Sequence, residues 1–464
     1  MDLINGIISK ISGGGSSSSY EKASVNRITL FTMGRYFLYN FYYGDAVNTI
    51  PPPVLGNGFN CYTYFSSNTE NSATINWGDG SEEEVYEFSK TSSGGYILGF
   101  RSLNCEFRKA PGSTFGVTLS NGRAWLPEPP RDYGSPGHRK VVITFENEIS
   151  TFNCDVCKWS EYPLIEAPSI RSISTSDIGT STVPLNRFAG MKNLTYLNIT
   201  YASSRMSQFP ESFKDCEKLG TFTANGVFNF SNLENSGLRE ILKQMTSLYS
   251  LDLSACYLKK YIKEFNDLPN LQTLYFGQTG LLPDFSEVDK INPNIRVIRT
   301  GSTWGAVSSS RLEGDPTGWM DWYNGKGMEN IRTIFTYGND SYMDLEYLPQ
   351  WLYEARSLTN LSMSSAFKIT TTTDYIDTFI NTMYQETIKH PMSSTDTDGK
   401  RNQWYGLKIP IYDGTYNTGI RPSGSYQATS GFVKGKANGN PSSGMEKIYV
   451  LQQNYGQVWT VKPA

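Results

Sequence analysis

Two histidines, six cysteines and a scatter of carboxylates are the residues of this 464-residue chain that could carry chemistry. His138 falls in a Pro/Gly loop, and His390 ends a helical run from Asp374 to Lys389, so both read as structural. No G-x-S-x-G nucleophile turn, H-E-x-x-H helix or phosphate-cradling Walker loop occurs. Cys154 and Cys157 form a single C-x-x-C. A structural zinc needs four ligands, and no second pair or nearby histidine completes the set. Six cysteines are too few for a disulfide scaffold of this length; Cys61 and Cys105 could face each other across a first domain, which spacing alone does not establish. Paired carboxylates can hydrolyse glycosides without any motif, which leaves Asp252 and other repeat acids as residual candidates. Surface acids are ordinarily just solvated. The expectation is no catalytic residue, no metal and no cofactor.

The composition agrees with a binding or architectural role. The chain is 38% hydrophobic but only 18% charged, with 30 Tyr and 24 Phe, so its surface is built from Tyr, Asn, Ser and Thr. Such surfaces suit glycans and protein partners, although core packing also uses aromatics. Net charge is −3, with no block of like charge, which excludes a nucleic-acid footprint. No run of about 18 apolar residues could span a bilayer. Leu3, Ile4, Ile7, Ile8 and Ile11 suggest a short amphipathic helix, followed by Gly13–Gly15 and Ser16–Ser19 as a tether. Residues 1–23 then read as a docking anchor or as a plain leader. A basic start and long apolar stretch are missing, so no export signal is expected.

The elements that must position any binding residue repeat along the middle of the chain. Seven segments have the form apolar-x-x-apolar-x-apolar, beginning at Leu194, Leu219, Leu248, Leu271, Ile295, Ile331 and Leu358, with a weaker copy at Ile170 and Ile173. Their spacings are 24, 25, 29, 23, 24, 36 and 27 residues. Stretches with helical spacing precede them, such as 236–245 and 261–269, which predicts parallel strands on one side and helices on the other.

These segments resemble the leucine-rich-repeat family over roughly residues 165–390, whose period runs from roughly 20 to 29 residues. The resemblance implies an Asn or Cys nine positions into each copy; Cys256 and Asn339 match, whereas Ala202, Val227, Thr279, Thr303 and Ala366 do not. With the leucines inward, the third and fifth positions face the concave sheet. The third column reads Tyr196, Thr221, Ser250, Thr273, Val297, Thr333 and Asn360; the fifth reads Asn198, Thr223, Asp252, Tyr275, Arg299, Phe335 and Ser362. Tyr196, Asn198, Asp252, Tyr275, Arg299 and Phe335 are the binding candidates there. The 36-residue repeat adds Trp304, Trp319 and Trp322 in an excursion that either binds a partner or packs locally.

Residues 24–150 carry short alternating runs between Gly, Pro, Asn and Ser clusters, with strands expected at 27–31, 74–77 and 141–145, so a small β-sandwich is expected. Within them Trp77-Gly78-Asp79-Gly80 sets a core tryptophan beside a tight turn. This looks like the W-G-D-G turn of PKD-like β-sandwich domains, which implies a structural role for Asp79. Glu82, Glu83 and Glu84 follow as a solvated edge. Residues 391–464 close the chain with segments such as 447–451 and 455–461, similar to the sealing modules of phage solenoid proteins; a cap is physically required because a last repeat exposes its core.

The expected architecture is therefore an α/β leucine-rich-repeat solenoid over 151–390, an all-β sandwich over 24–150 and a capping module over 391–464. That order is similar to virion proteins of phages that infect Bacteroidetes and to BspA-like surface proteins of such bacteria. The resemblance implies a non-catalytic tail fibre or other virion appendage, assembled in the host cytoplasm. It would contact other virion proteins through its N-terminal segment and a host-surface glycan or protein through its solenoid, and homo-oligomers are compatible with it. The alternative is a secreted or cell-surface adhesin.

Overall fold

The computed structural model describes residues 26–32, 62–101, 134, 137–155, 159–176, 187–200, 205–277, 283–300, 320–335, 344–363, 372–412 and 421–462. The expected anchor and tether, Cys61, Cys105, Cys157, Asn339, Trp304 and Trp319 lie outside the described residues.

Nine strands come first: β1 (Arg27–Thr32), β2 (Tyr62–Ser67), β3 (Ser72–Asn76), β4 (Glu84–Glu87), β5 (Ser89–Lys90), β6 (Tyr96–Arg101), β7 (Arg139–Phe145), β8 (Thr151–Asp155) and β9 (Trp159–Glu166). One antiparallel sheet runs β4-β3-β7-β1-β9. Facing it are β8, β2, β6 and β5, also antiparallel to one another. Alternation explains the pairing of layers: β3 reads SATIN with Ala73 and Ile75 buried, β7 buries Val141, Ile143 and Phe145. Phe65 of β2 meets Phe145 of β7 at 5.1 Å, and Trp77 meets Phe100 of β6 at 6.1 Å, so aromatic rings fill the space between the layers.

The turn after β3 depends on glycine. Gly78 has φ +74°, and a Cβ there would lie 2.5 Å from the Lys140 carbonyl oxygen. Asn76 Oδ1 accepts the Gly78 N–H and Asp79 Oδ1 accepts the Ser81 N–H, at 3.0 and 3.1 Å. Asp79 thus holds its own backbone, while Trp77 is 3% exposed.

Parallel strands follow, one per repeat: β10 (Ser172–Ser176), β11 (Tyr196–Thr200), β12 (Thr221–Thr223), β13 (Ser250–Asp252), β14 (Thr273–Phe276), β15 (Val297–Thr300), β16 (Thr333–Phe335) and β17 (Asn360–Ser362). In register, Leu197, Phe222, Leu251, Leu274, Ile298, Ile334 and Leu361 form one column, and each is fully buried. The expected solenoid stacking is observed at this level: a parallel, leucine-rich-repeat-like sheet. Each layer is locked to the next by one carbonyl that accepts two successive N–H groups. Thr195 and Tyr196 donate to Arg171, Gly220 and Thr221 to Thr195, and Tyr249 and Ser250 to Gly220. The pattern continues through Gln272, Arg296 and Arg332.

A side-chain ladder runs beside it. The residue just before each first leucine donates to the previous repeat: Asn193 to Pro168 O, Ser247 to Glu217 O, Asn270 to Thr246 O and Asn294 to Pro269 O. Nine positions into the copy, the Cys256 thiol donates to Ala224 O at 2.9 Å, which is the role the repeat resemblance implies for it.

Two expectations need correction. The expected convex helices are mostly single turns: α1 (Leu238–Leu242) has five residues, and 263–267 is a 3-10 turn. The helical spacing in the sequence serves instead the burial of Leu238, Ile241 and Phe265. The boundary placed at 150/151 cuts an interleaved junction. β8 pairs with β2 on one side and β10 on the other, while β9 returns to β1 in the front sheet. One 14-stranded sheet therefore runs from β5 to the end of the chain. The closing module also joins this sheet: after α2 (Gln350–Glu354) and α3 (Thr373–Thr387), β18 (Lys408–Pro410) adds to β17, and, beyond a small antiparallel pair, β19 (Phe432–Val433) with β20 (Ala437–Asn438), β21 (Val458–Thr460) adds to β18. α4 (Gly444–Tyr455) starts on a capping box, Ser443 with Glu446, and ends on Gly456 in the left-handed region.

Aromatic rings fill the solenoid core. Phe188, Phe213 and Phe222 are linked at 4.8 and 5.0 Å, and Tyr261, Phe285, Tyr323 and Trp351 continue at 5.4, 5.6 and 6.0 Å. On the opposite side from the open sheet face, Arg239 of α1 bonds Glu264 and Glu287, each at 2.6 Å, and so joins three successive repeats. Glu264 is 1% exposed.

Two outcomes follow. Gly78→Ala should lower stability by about 2 kcal/mol or more, from the left-handed backbone and the carbonyl contact, read as a shifted denaturant midpoint. Arg239→Met should cost about 3 kcal/mol by leaving the buried Glu264 unpaired. The Glu287 carboxyl is held down to about 2 from 4.5, chiefly by the Arg239 hydrogen bonds. A depressed carboxyl stabilises above its unfolded value. The Arg239→Met deficit should therefore be full above pH 4.5 and shrink as pH falls toward about 2 in thermal melts.

Candidate functional site

The strand register sets the candidate residues on the face opposite the core. Tyr196, Thr221, Ser250, Thr273, Val297, Thr333 and Asn360 align across seven strands, as do Asn198, Thr223, Asp252, Tyr275 and Arg299 across five. Side chains in both columns are half-buried or exposed apart from Ser362, which is 7% exposed.

Arg299 is the centre of one cluster. Its Cζ lies 5.3 Å from the Tyr275 ring centroid and 5.1 Å from that of Phe335. The two rings stand 5.9 Å apart at 84°. Parallel strands bring these residues together because each contributes its fifth position at one spacing of the sheet. A guanidinium at this distance from two rings gains about 0.5–2 kcal/mol. Asp252 precedes Tyr275 in the same column and accepts the Ser254 N–H at 2.8 Å through Oδ1. Burial raises the Asp252 pKa; the hydrogen bonds from Ser254 and the charge of Arg299 oppose the rise without cancelling it.

A second cluster sits nearer the front module. Asn198 Nδ2 donates to Ser174 Oγ at 3.1 Å, one strand across. Tyr196 is 38% exposed and Tyr249 is 52% exposed. Tyr249 lies across Gly220, where a Cβ would stand 2.8 Å from its ring. Burial raises the Tyr196 pKa, as does the nearby Tyr249. Tyr64 of β2 also carries a raised pKa from burial, against a lowering hydrogen bond with Asn153, with a smaller contribution from Tyr196.

Tyr249 was not among the sequence candidates, nor were Arg171, Arg296 and Arg332. All four hold the second position of a repeat, just before the strand alternation begins, and they are exposed or half-buried beside the third column. The available signal was their polar or amphipathic character between two buried aliphatic anchors.

Trp322 does not join either cluster. It is packed against the core, 6.0 Å from Tyr323, whose hydroxyl bonds Thr300 Oγ1 at 3.1 Å. The structure therefore places it in a local aromatic cluster rather than on the open face. Among the described residues no group of His, Cys, Asp and Glu could hold a metal ion, and no helix is long and apolar enough to cross a membrane. His390 Nδ1 lies 3.1 Å from Asp396 Oδ1, and Asp396 also pairs with Arg356, which fixes the loop before β18.

No family model matches the chain, and no curated protein matches it. Among solved structures, a leucine-rich-repeat protein of Leptospira interrogans is similar over 47% of this chain at 14% identity, with a TM-score of 0.26. This chain spans about half, 54%, of that protein's length. A likeness of that degree bears on neither fold nor function, and the repeat architecture stands on the strand pairing described above.

The desolvated Asp252 yields an outcome with a definite sign. A raised carboxyl binds its proton more tightly folded than unfolded, so it costs stability once pH exceeds the ordinary carboxylate range. Asp252→Asn keeps an oxygen for the Ser254 N–H and should hold or raise the melting temperature at pH 7. The difference from the parent should vanish below pH 3.8, the ordinary value for this group.

Proposed function

We propose that this chain is a non-catalytic binding protein that recognises a partner through the open face of its solenoid. The observation that carries this reading is the Asp252–Tyr275–Arg299–Phe335 cluster. It places a charged group between aromatic rings on the surface, where packing the core does not require it. Prealigned aromatic and arginine side chains are the residue types that dominate binding energies at interfaces. A rigid parallel sheet also holds them without the ordering cost that loops bring to binding.

The finer setting we propose is a virion appendage, with the solenoid facing the host surface and the front module joined to other virion proteins. Its support is the order of modules, a β module with a W-G-D-G turn followed by repeats and a closing segment, which is similar to that of phage structural proteins.

Two measurements test the proposal. Antibodies against the chain should label purified particles from cells that carry its gene; signal confined to host membrane fractions would favour the adhesin alternative. In addition, excess purified chain should compete with particle adsorption to host cells. Tyr275→Ala with Arg299→Ala should lose at least about tenfold in that competition, in line with truncating an interfacial hot spot, while retaining the parent's melting temperature within a few degrees. Equal competition by parent and variant would remove the open face from the reading.

A further inference from the structure

Among the described repeat positions of the open face the charges are one-sided, although the whole chain is net negative. Across the second, third and fifth positions from β8 to β18 stand Arg171, Arg296, Arg299, Arg332 and Lys408, against one acid, Asp252. Four of the five cations belong to the four consecutive strands β15 to β18 or the residue just before them. Among the described residues no carboxylate forms an ion pair with Arg171, Arg332 or Lys408. The Arg401 pKa is lowered by burial and, to a smaller extent, by the charge of Arg332, so these two cations lie near one another at that end of the sheet. Arg239, Lys260 and Arg356, by contrast, have acidic partners.

Toward β11 the character of the face changes. Tyr196 and Tyr249 are exposed there, flanked by the hydroxyl and amide groups of Ser172, Asn198 and Thr221. Flat rings beside neutral hydrogen-bonding groups match the apolar faces and hydroxyls of pyranose sugars. The cationic end matches carboxylate or sulfate, since arginine binds planar oxyanions through two parallel N–H bonds.

Resting on the reading that the open face is the recognition surface, we propose that its occupant is an acidic polysaccharide lying across the strands. Its sugar rings are laid on Tyr196 and Tyr249, and its anionic groups are received by Arg299, Arg332 and Lys408. Asp252 sets a polarity along the face. It repels an anionic group from the middle strands and leaves the strongest attraction toward β18, so the chain of sugars is read with a neutral stretch and a charged stretch rather than uniform charge.

The full chain is immobilised and titrated with polygalacturonate, dextran sulfate, neutral dextran and a single-stranded DNA oligonucleotide. The expected result is binding of polygalacturonate that weakens as salt is raised, and no binding of dextran at the same concentrations. Arg332→Gln combined with Lys408→Gln should weaken it by about tenfold or more, as loss of charge-assisted hydrogen bonds implies. Tyr249→Ala should weaken it with the salt dependence unchanged, and Lys243→Gln on the far side should leave it as it was. All three variants are expected to melt like the parent. Dextran binding as tightly as polygalacturonate would overturn the acidic class. DNA binding more tightly than every polysaccharide would overturn the glycan. Absence of binding by all four probes would overturn the proposal as a whole. In each of those cases the recognition reading stands if adsorption competition still depends on Tyr275 and Arg299, and falls if it does not.

Discussion

No repeat of this chain can bury its own apolar face, and the rest of the structure depends on that constraint. A single strand with one turn behind it leaves its inward leucine open to the next layer. Only a stack closes the core, and the stack is held in phase by a carbonyl that takes two N–H donors from the following repeat. Because that bond recurs at every layer, side chains at the same position of successive repeats are brought to one sheet spacing. The column of buried aliphatics and the rows of polar residues opposite it are two consequences of one register.

The same constraint explains the two ends. At the front, the first parallel strand cannot be left as an open edge. β8 is covered by antiparallel pairing with β2, so the β module is continuous with the solenoid and shares a strand with it. Arg187 strengthens this junction: its guanidinium lies 5.6 Å from the Phe31 ring and pairs with Glu161 of β9 at 3.2 Å. At the back, β18 and β21 extend the sheet while α3 and α4 cover the core side, and Trp459 packs on Phe379 at 6.0 Å. The sheet ends on a three-residue strand, a short edge that offers little to an unwanted partner.

Charge is distributed in two different ways by this scaffold. On the side away from the open sheet, acids and bases from successive repeats are matched, and Arg239 joins residues 25 and 48 positions along the chain. At the second, third and fifth positions of the described repeats, the cations Arg171, Arg296, Arg299, Arg332 and Lys408 stand with one acid, Asp252. Buried ion pairs such as Arg239 with Glu264 fix the layers to one another. Aromatic residues divide similarly. Among the described residues many are consumed in the core, while Tyr196, Tyr249, Tyr275 and Phe335 remain on the face.

Repeat phase, inward columns and the glycine-dependent turn were legible in the sequence, because periodic burial imposes periodic residue types and left-handed backbone selects glycine. Cys256 was singled out by the resemblance to leucine-rich repeats, and its thiol donates to the Ala224 carbonyl of the preceding layer. The sequence also paired Tyr275 with Arg299 and Asp252 in one column, since register follows from the leucines. It did not show that Trp322 is packed inward, that the stretches with helical spacing form single turns, or that residues 159–166 turn back to the front sheet. Those are decided by which surfaces meet, and β9 pairs with β1 across more than 120 positions of chain, a separation at which local pattern carries no information. Tyr249, Arg296 and Arg332 also reached the face through tertiary structure alone. They stand outside the strand alternation, and only stacking of neighbouring layers turns a loop position into part of a surface.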